Sequence, residues 1–375
     1  HDTMENSYAL QNFTRQIMRS ANVDIYPANS YSTMVKDIHD YYAAHGHVEV
    51  DEILRADTTY VIGSQTEWSH PIIENRIRKA HKAGKKVIVA SSQPNRTVNF
   101  STDFKRYKKG CEHLYLHGLL EELAAKKNNQ SIVMIIGDEV LHSDRARENF
   151  NTLIRISRVS DIRVKILFLL PEGNRYGVTM AGMNPLLHPG FKTARKKGLT
   201  ATEMLKKQKV LSALYLVGDI PYKPALKGLT FFVQHNMFFT PASEHAHVFL
   251  PMTSSMESAG HIINLEGRPM QLASAIRQDG HILSINEVLG RIAKKMGRTS
   301  GIASPQNITE NINSLIKESL AKGQKIKAAK KTVPDPQSRS KNSQLTRELL
   351  KHRHFHYMGN SLTDIIPDLQ EVLEE

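Results

Sequence analysis

Cysteine is nearly absent from this 375-residue sequence, which contains only Cys111. A single thiol excludes an internal disulfide and an iron–sulfur cluster held by four thiolates of this chain alone. Long apolar runs are missing as well, since none approaches the ~18 consecutive residues that a membrane span needs. The N-terminus lacks the basic start and apolar centre of a signal peptide. We therefore expect neither direct membrane insertion nor export.

Positive charge is in excess, with 50 lysine and arginine residues, 37 acidic residues and a formal net charge of +13. Much of the excess lies in three separate runs, at residues 105–109, 195–197 and 325–331. No nucleic-acid recognition motif with interleaved aromatic residues accompanies them. The runs indicate an ordinary solvated surface or, as a second choice, a surface that docks an acidic partner. We expect no nucleic-acid partner.

Strand and helix patterns alternate along most of the chain. A β-rich run at residues 59–62 is followed by a polar turn, an amphipathic helix at 71–83 and a second apolar strand at 86–90. Pro71 at the start of that helix and Gly84 just after its end fit the usual asymmetry of helix termini. This stretch is one strand–helix–strand unit.

The same pattern returns twice in the following residues. One repeat has strands at 132–136 and 164–170 around a helix at 146–156, and the other has strands at 214–217, 231–233 and 248–250. Such strands predict an α/β fold in which parallel sheets are flanked by helices on both faces. We expect a first lobe at residues 1–128, a second at 129–300, and a helix near 308–320, basic linker and short tail within 301–375.

Chemistry in such a fold is expected just beyond the carboxyl ends of the parallel strands. Gly63 follows the first strand and precedes a helix N-terminus, an arrangement that suits an anion but more often reflects turn geometry alone. His352, His354 and His356 alternate, yet their basic neighbours favour an exposed segment over a metal site. Neither a nucleophile-elbow motif nor a phosphate-loop motif is present.

The strand-end turns, taken in order, resemble those of the molybdopterin oxidoreductase family, and within it the large G subunit of NADH-quinone oxidoreductase (complex I). The stretch IGSQTEWSHPIIENRIRKAHKAGKKVIV is similar to a family strand–turn–helix element, matched at Gly63, His70 and Pro71. LPEGNRYGVTMAG is similar to its Asn-x-x-Gly turn, at Asn174 and Gly177. A third family element, Glu-x-x-Gly followed by Asn-x-Glu-Gly-Arg, is matched at Glu257, Gly260, Asn264, Glu266, Gly267 and Arg268.

The resemblance implies two Rossmann-like lobes whose turns, in active members, hold two pterin guanine dinucleotides around molybdenum or tungsten. Several side chains depart from the family pattern. Ala90-Ser91-Ser92 stands where Asp-Pro-Arg is usual, Ile220 replaces an asparagine, and Asn236 and His247 replace aspartates. Each lost charge-assisted hydrogen bond removes roughly 1.5–3 kcal/mol of binding. These departures favour a chain that has kept the fold without the cofactor.

We therefore predict a structural, cofactor-free part of an NADH-quinone oxidoreductase G subunit that is not catalytic by itself. Its iron–sulfur clusters are expected only on a missing N-terminal region or on partner subunits. The partners would be other subunits of the membrane-associated peripheral arm, and the location cytoplasmic, peripheral to the inner membrane through the complex. No catalytic or metal-binding residue is expected in this case.

The alternative is a molybdenum or tungsten bis-pterin guanine dinucleotide oxidoreductase, similar to formate dehydrogenase and completed by a partner chain. In this case Ser30 is the metal ligand. The cofactor-binding candidates, vestigial under the structural prediction, are Gly63, Gln65, Glu67, Asn174, Gly218 and Glu257.

Overall fold

The computed structural model of the chain describes residues 3–26, 29–126, 129–160, 162–206, 211–220, 226, 229–276, 282–298 and 304–325. Within these ranges, the side chains of residues 29–31 and 320–325 are not described. The twelve strands within this part are β1 Thr58–Ile62, β2 Lys86–Ser91, β3 Asp103–Arg106, β4 Gln130–Ile136, β5 Ile162–Phe168, β6 Leu187–His188, β7 Lys192–Thr193, β8 Ala213–Val217, β9 Phe231–Asn236, β10 Val248–Pro251, β11 Gly260–Ile263 and β12 Pro269–Leu272.

Twelve α-helices fall within the same part of the chain. They are α1 Met4–Asn12, α2 Asn29–His45, α3 Glu52–Arg55, α4 Thr66–Ser69, α5 Pro71–Lys82, α6 Glu112–Ala124, α7 Asp138–Leu141, α8 Ala146–Ile156, α9 Arg175–Met180, α10 Ala201–Lys206, α11 Ile285–Lys295 and α12 Pro305–Lys325. Across these residues, no helix combines the length and apolar character that crossing a membrane requires.

Two parallel sheets form the framework, which confirms the predicted α/β fold. The larger sheet has five strands in the order β3-β2-β1-β4-β5, and the smaller has three in the order β10-β9-β8. Side chains of the central strands alternate between two cores. Tyr60 and Ile62 of β1 enter one hydrophobic cluster, whereas Val61 enters the other. Helices α6 and α8 cover the first face, and α3 and α5 cover the second.

The predicted boundary between lobes at residues 128 and 129 falls inside the larger sheet. Strand β4 pairs in register with β1, and β5 pairs with β4, so the sheet spans Thr58 to Phe168. The first α/β unit therefore includes residues assigned from the sequence to the second lobe. The physical reason is that β4 returns beside β1 rather than starting a new sheet, a pairing that local sequence patterns do not encode.

Candidate functional site

The carboxyl edge of the larger sheet is the first place where a ligand crevice is expected. Three backbone amides in the turns at this edge donate to carbonyls of the protein. Gly63 N lies 2.8 Å from Ala90 O, Gly137 N 2.9 Å from Ile62 O, and Glu139 N 3.0 Å from Gly63 O. These three donors are therefore already used and are not offered to a phosphate.

The carboxylate of Glu139 is bound by the residue that follows β2 and by a tyrosine just after β3. It accepts hydrogen bonds from Ser92 N at 3.0 Å, from Ser92 Oγ at 2.8 Å and from the Tyr107 hydroxyl at 2.8 Å. Burial and the nearby Glu139 charge raise the pKa of Tyr107, so its hydroxyl stays protonated and donates. The backbone and side chain after β2 thus bind a carboxylate of the protein itself.

Gly63 adopts a left-handed conformation, with φ of 62°. A Cβ at this position would lie 2.8 Å from Glu139 Cβ and 3.1 Å from the Tyr107 hydroxyl oxygen. A glycine is required here, as the sequence indicates, but the group that approaches it belongs to the protein.

Gln65 and Glu67 lie in the turn that follows Gly63. The Gln65 carbonyl accepts from Trp68 N at 3.2 Å, and its side chain is exposed. Glu67 accepts from Arg96 N at 3.2 Å and from Thr97 Oγ1 at 3.2 Å. The Glu67 carboxylate therefore ties α4 to the short 3-10 helix Arg96–Phe100.

A buried glutamate holds the junction of α4 and α5. Glu74 is 3% exposed and accepts from Thr66 Oγ1 at 2.7 Å and Thr97 Oγ1 at 2.9 Å. At the junction itself, His70 Nε2 lies 3.1 Å from the carbonyl oxygen of Leu170, just beyond β5. His70, matched to the family motif, thus links two strand-end turns across the sheet edge.

Asn174 at the start of α9 connects this helix to β11. Its side chain is buried, and its Oδ1 accepts from Ile263 N at 2.9 Å. A Cβ on Gly177 would overlap Asn174 Oδ1 and lie 3.2 Å from Ile263 N. The Asn-x-x-Gly spacing is therefore required for the docking of β11 on α9.

Asp24 is a half-buried residue whose carboxylate interacts with Arg175 at the start of α9. It accepts from Ile25 N at 2.9 Å, Ser32 Oγ at 2.8 Å and Ala201 N at 2.8 Å. Burial is the largest influence and raises its pKa to about 6, against the lowering effects of the hydrogen bonds and of the Arg175 charge. Asp24 joins three distant segments of the chain.

The third family element, residues 257–268, is anchored to the N-terminal region of the chain. Glu5 accepts from His261 N at 2.8 Å and lies 2.6 Å from His261 Nδ1. Glu266 Oε1 accepts from Val50 N at 2.7 Å. Gly267, with φ of 72°, packs directly against the imidazole of His47. Glu257 accepts locally, from Ser254 N at 2.8 Å.

Gly218 follows β8 in the smaller sheet. Its amide donates to His235 O at 2.9 Å, and its carbonyl accepts from Gln234 Nε2 at 3.0 Å. Its φ is 82°, and within the described residues a Cβ there would meet no atom within 4 Å. Among the described residues, no group therefore approaches Gly218 as Glu139 approaches Gly63.

The predicted site residues lie in several places along the fold. Gly63 and Glu67 share one network at the larger sheet, Asn174 lies at the α9–β11 contact, and Gly218 lies at the smaller sheet. Ser30 lies in α2, but its side chain is outside the described residues, as are the three alternating histidines. In the part of the chain that is described, no three His, Cys, Asp or Glu residues are grouped to hold a metal ion.

Two residues of the networks were missed by sequence reasoning. Glu139 is visible only as part of a polar turn after a strand, and Tyr107 lies in a basic run. Glu139 could have been predicted as a network residue from its position just after β4, because β4 ends at the same sheet edge as β1 and β2.

Parallel sheets flanked by helices, with polar and glycine turns at their carboxyl edges, define an α/β protein. Residues 2–295 match the model of the molybdopterin oxidoreductase family. The chain belongs to this family.

Similarity to individual members extends to two groups of proteins. The F420-dependent formate dehydrogenase 2 subunit alpha of Methanococcus maripaludis is 23% identical over 79% of this chain and 56% of its own length. NADH-quinone oxidoreductase subunit 3 of Thermus thermophilus is 27% identical over 66% of this chain and 34% of its own length. The chain thus spans about half of the first protein and a third of the second.

The fold also resembles a solved structure. A chain of the formyltransferase/hydrolase complex from Methylorubrum extorquens superposes with a TM-score of 0.53 and 14% identity, covering 85% of this chain and 90% of that one. At this identity the likeness concerns the fold alone.

Proposed function

We propose that this chain is a structural, cofactor-free part of an NADH-quinone oxidoreductase of the G-subunit type. Electrons pass through iron–sulfur clusters held elsewhere, on partner subunits or on another region of the same polypeptide. The chain supports the peripheral arm on the cytoplasmic side of the membrane and presents surfaces to neighbouring subunits. The observation that carries this proposal is the occupation of the strand-end turns by the protein's own groups.

A phosphate or pterin group needs free donors where it binds. At the larger sheet, Gly63 N, Gly137 N and Ser92 N each donate to an acceptor of the protein. The acceptor at Ser92 is the carboxylate of Glu139, whose negative charge would repel a phosphate placed beside it. Each charge-assisted bond that a cofactor forgoes weakens binding by roughly 1.5–3 kcal/mol.

The similarity to an NADH-quinone oxidoreductase subunit supports the choice of complex. The third family element supports an internal role, because Glu5, Val50 and His47 engage it. Residues 257–268 are therefore held by three contacts with the rest of the chain, and these contacts stabilise the fold without a bound dinucleotide.

The second candidate function is a molybdenum or tungsten oxidoreductase completed by a partner chain. Its support is the similarity to a formate dehydrogenase subunit and the turn at Gly218, which no described group approaches as Glu139 approaches Gly63. In this alternative the smaller sheet holds a dinucleotide while the turn at Gly63 does not contribute free amides.

The test is the metal and pterin content of the protein purified from its native host. Molybdenum, tungsten and iron are measured by mass spectrometry, and pterin by fluorescence after oxidation. We expect no molybdenum, no tungsten and no pterin in the purified protein. We also expect NADH-quinone oxidoreductase subunits to co-purify with it. Near-stoichiometric molybdenum or tungsten with pterin would overturn the proposal and establish the enzyme instead.

A further inference from the structure

The only tryptophan of the chain is exposed beside the carboxyl edge of the larger sheet. Trp68 is 68% exposed on α4, and Ile72 is also 68% exposed at the start of α5. The two residues are four positions apart in the sequence, and tryptophan is enriched among residues that dominate binding energy. We call Trp68 and Ile72 the apolar pair.

The backbone that carries the apolar pair is held firmly. Buried Glu74 binds the hydroxyls of Thr66 and Thr97, and His70 between the two helices reaches Leu170 O at 3.1 Å. A platform fixed before binding loses little conformational freedom when a partner docks. The exposure of the apolar pair is therefore a property of an ordered surface.

Exposed basic residues follow the apolar pair along α5. Lys79 lies two helical turns after Ile72 on the same face of α5, and Lys82 and Arg96 are also exposed. The nearest carboxylate in sequence, Glu67, is engaged by Arg96 N and Thr97 Oγ1. The surface fits a segment that combines apolar side chains with negative charge.

The chain contains one such segment in residues 361–375, SLTDIIPDLQEVLEE. It has five acidic residues and no lysine or arginine, although the whole chain carries a net charge of +13. Its six large apolar residues recur at spacings of one, three and four. This composition complements the apolar pair and its basic neighbours.

The connection to this segment is long enough to reach the surface. Thirty-five residues, 326–360, lie between Lys325, the last residue of α12, and Ser361. A chain of this length spans at most about 120 Å when extended and roughly 35 Å on average as a coil. Tethering raises the local concentration to about millimolar, so weak binding suffices.

We propose that residues 361–375 bind in cis to the surface formed by Trp68, Ile72 and Lys79.

The single tryptophan provides a direct test on the full chain. We expect Ile72→Glu to shift Trp68 emission to longer wavelength and to increase its quenching by acrylamide. Leu114→Glu is the matched control, because Leu114 is 62% exposed on α6, which packs on the opposite face of the sheet. It should leave the emission unchanged. Circular dichroism checks that both variants remain folded.

Removing residues 361–375 tests whether they are the segment bound at Trp68 and Ile72. A chain ending at Asn360 should show the same red shift, and a synthetic peptide of residues 361–375 should reverse it saturably, more weakly in high salt and with Lys79→Glu. Unchanged emission after truncation would overturn the proposal. A blue-shifted emission that survives truncation and depends on protein concentration would also overturn it, in favour of a second copy.

Discussion

The imidazole of His47 packs against Gly267, and a Cβ at position 267 would overlap the ring. The two residues belong to distant parts of the chain, and their contact fastens residues 257–268 to the loop after α2. Gly267→Ala adds a methyl group into the ring and forces φ of 72° on a residue with a Cβ. We expect a loss of about 2–4 kcal/mol in the free energy of unfolding, measured by urea denaturation.

Gly118→Ala is the control for this change. Gly118 lies within α6, and a Cβ there meets no described atom within 4 Å. Alanine should stabilise the helix by up to about 1 kcal/mol. Equal effects of the two substitutions would contradict the close contact between His47 and Gly267.

Glu139→Ala tests the network at the carboxyl edge of the larger sheet. The substitution leaves Ser92 N and the Tyr107 hydroxyl, both in buried residues, without their acceptor. Each orphaned donor costs about 1–3 kcal/mol, so we expect several kcal/mol of destabilisation in thermal or urea unfolding. Glu121→Ala, on the exposed face of α6, should change stability by less than about 0.5 kcal/mol.

If the carboxyl edge of the larger sheet were instead an anion-binding site, the charge of Glu139 would be unfavourable there. Glu139→Ala would then stabilise the protein. The sign of the change therefore distinguishes an internal structural network from a vacated anion site.

Seven of the eight strands in the two parallel sheets could be predicted from the sequence, because parallel strands buried on both faces have short apolar runs bounded by glycine or polar turns. Helices α5 and α8 were predicted too, whereas α2 and α6 were not. The helix at 146–156 has the bounds of α8, Ala146–Ile156, for the same reason: its apolar residues recur with the helical period. The pairing of β4 with β1 was not predictable in this way. Sheet order depends on contacts between residues far apart in sequence, and the expected boundary at 128 and 129 therefore fell within a sheet.

The candidate site shows a similar limit. A glycine after a strand indicates that something approaches the backbone, and this holds at Gly63 and Gly267. The sequence does not say what approaches. At Gly63 the neighbour is Glu139, and at Gly267 it is His47, which lies more than two hundred residues away. Spacing within a motif carries no information about such partners.

Tyr42→Phe tests how the exposed edge of the larger sheet is closed. Strand β5 is an edge strand, and its amides at Ile166 and Phe168 donate to the hydroxyls of Tyr41 at 3.1 Å and Tyr42 at 2.9 Å. Removing the Tyr42 hydroxyl leaves a buried amide unpaired, so we expect a loss of about 1–3 kcal/mol. Faster hydrogen exchange at Phe168 N would locate the effect.

Tyr8→Phe is the matched control, because it removes a hydroxyl from a half-buried tyrosine of α1 without touching the sheet edge. An unchanged exchange rate at Phe168 N in the Tyr42 variant would contradict the edge-closing role of α2.

Asp24 should make the protein less stable as the pH rises from about 4 to 7. Its ordinary pKa is 3.8, and burial raises it to about 6 in the folded state. The folded state therefore holds the proton more tightly than the unfolded state. The contribution is fully present below pH 4 and is lost as the pH passes through 6. Two pKa units correspond to about 3 kcal/mol.

Asp24→Asn removes this titration and keeps an oxygen acceptor. We expect the difference in unfolding free energy between the natural protein and the variant to fall by up to about 3 kcal/mol between about pH 4.5 and pH 7, measured by urea denaturation. Asp144→Asn, at an exposed turn, removes the same charge and should show no such trend. If the ionised Asp24 were instead stabilised mainly by the charge of Arg175, its folded pKa would lie below 3.8, and the difference would stay nearly constant between pH 4.5 and pH 7. The slope therefore decides which influence dominates at this buried carboxylate.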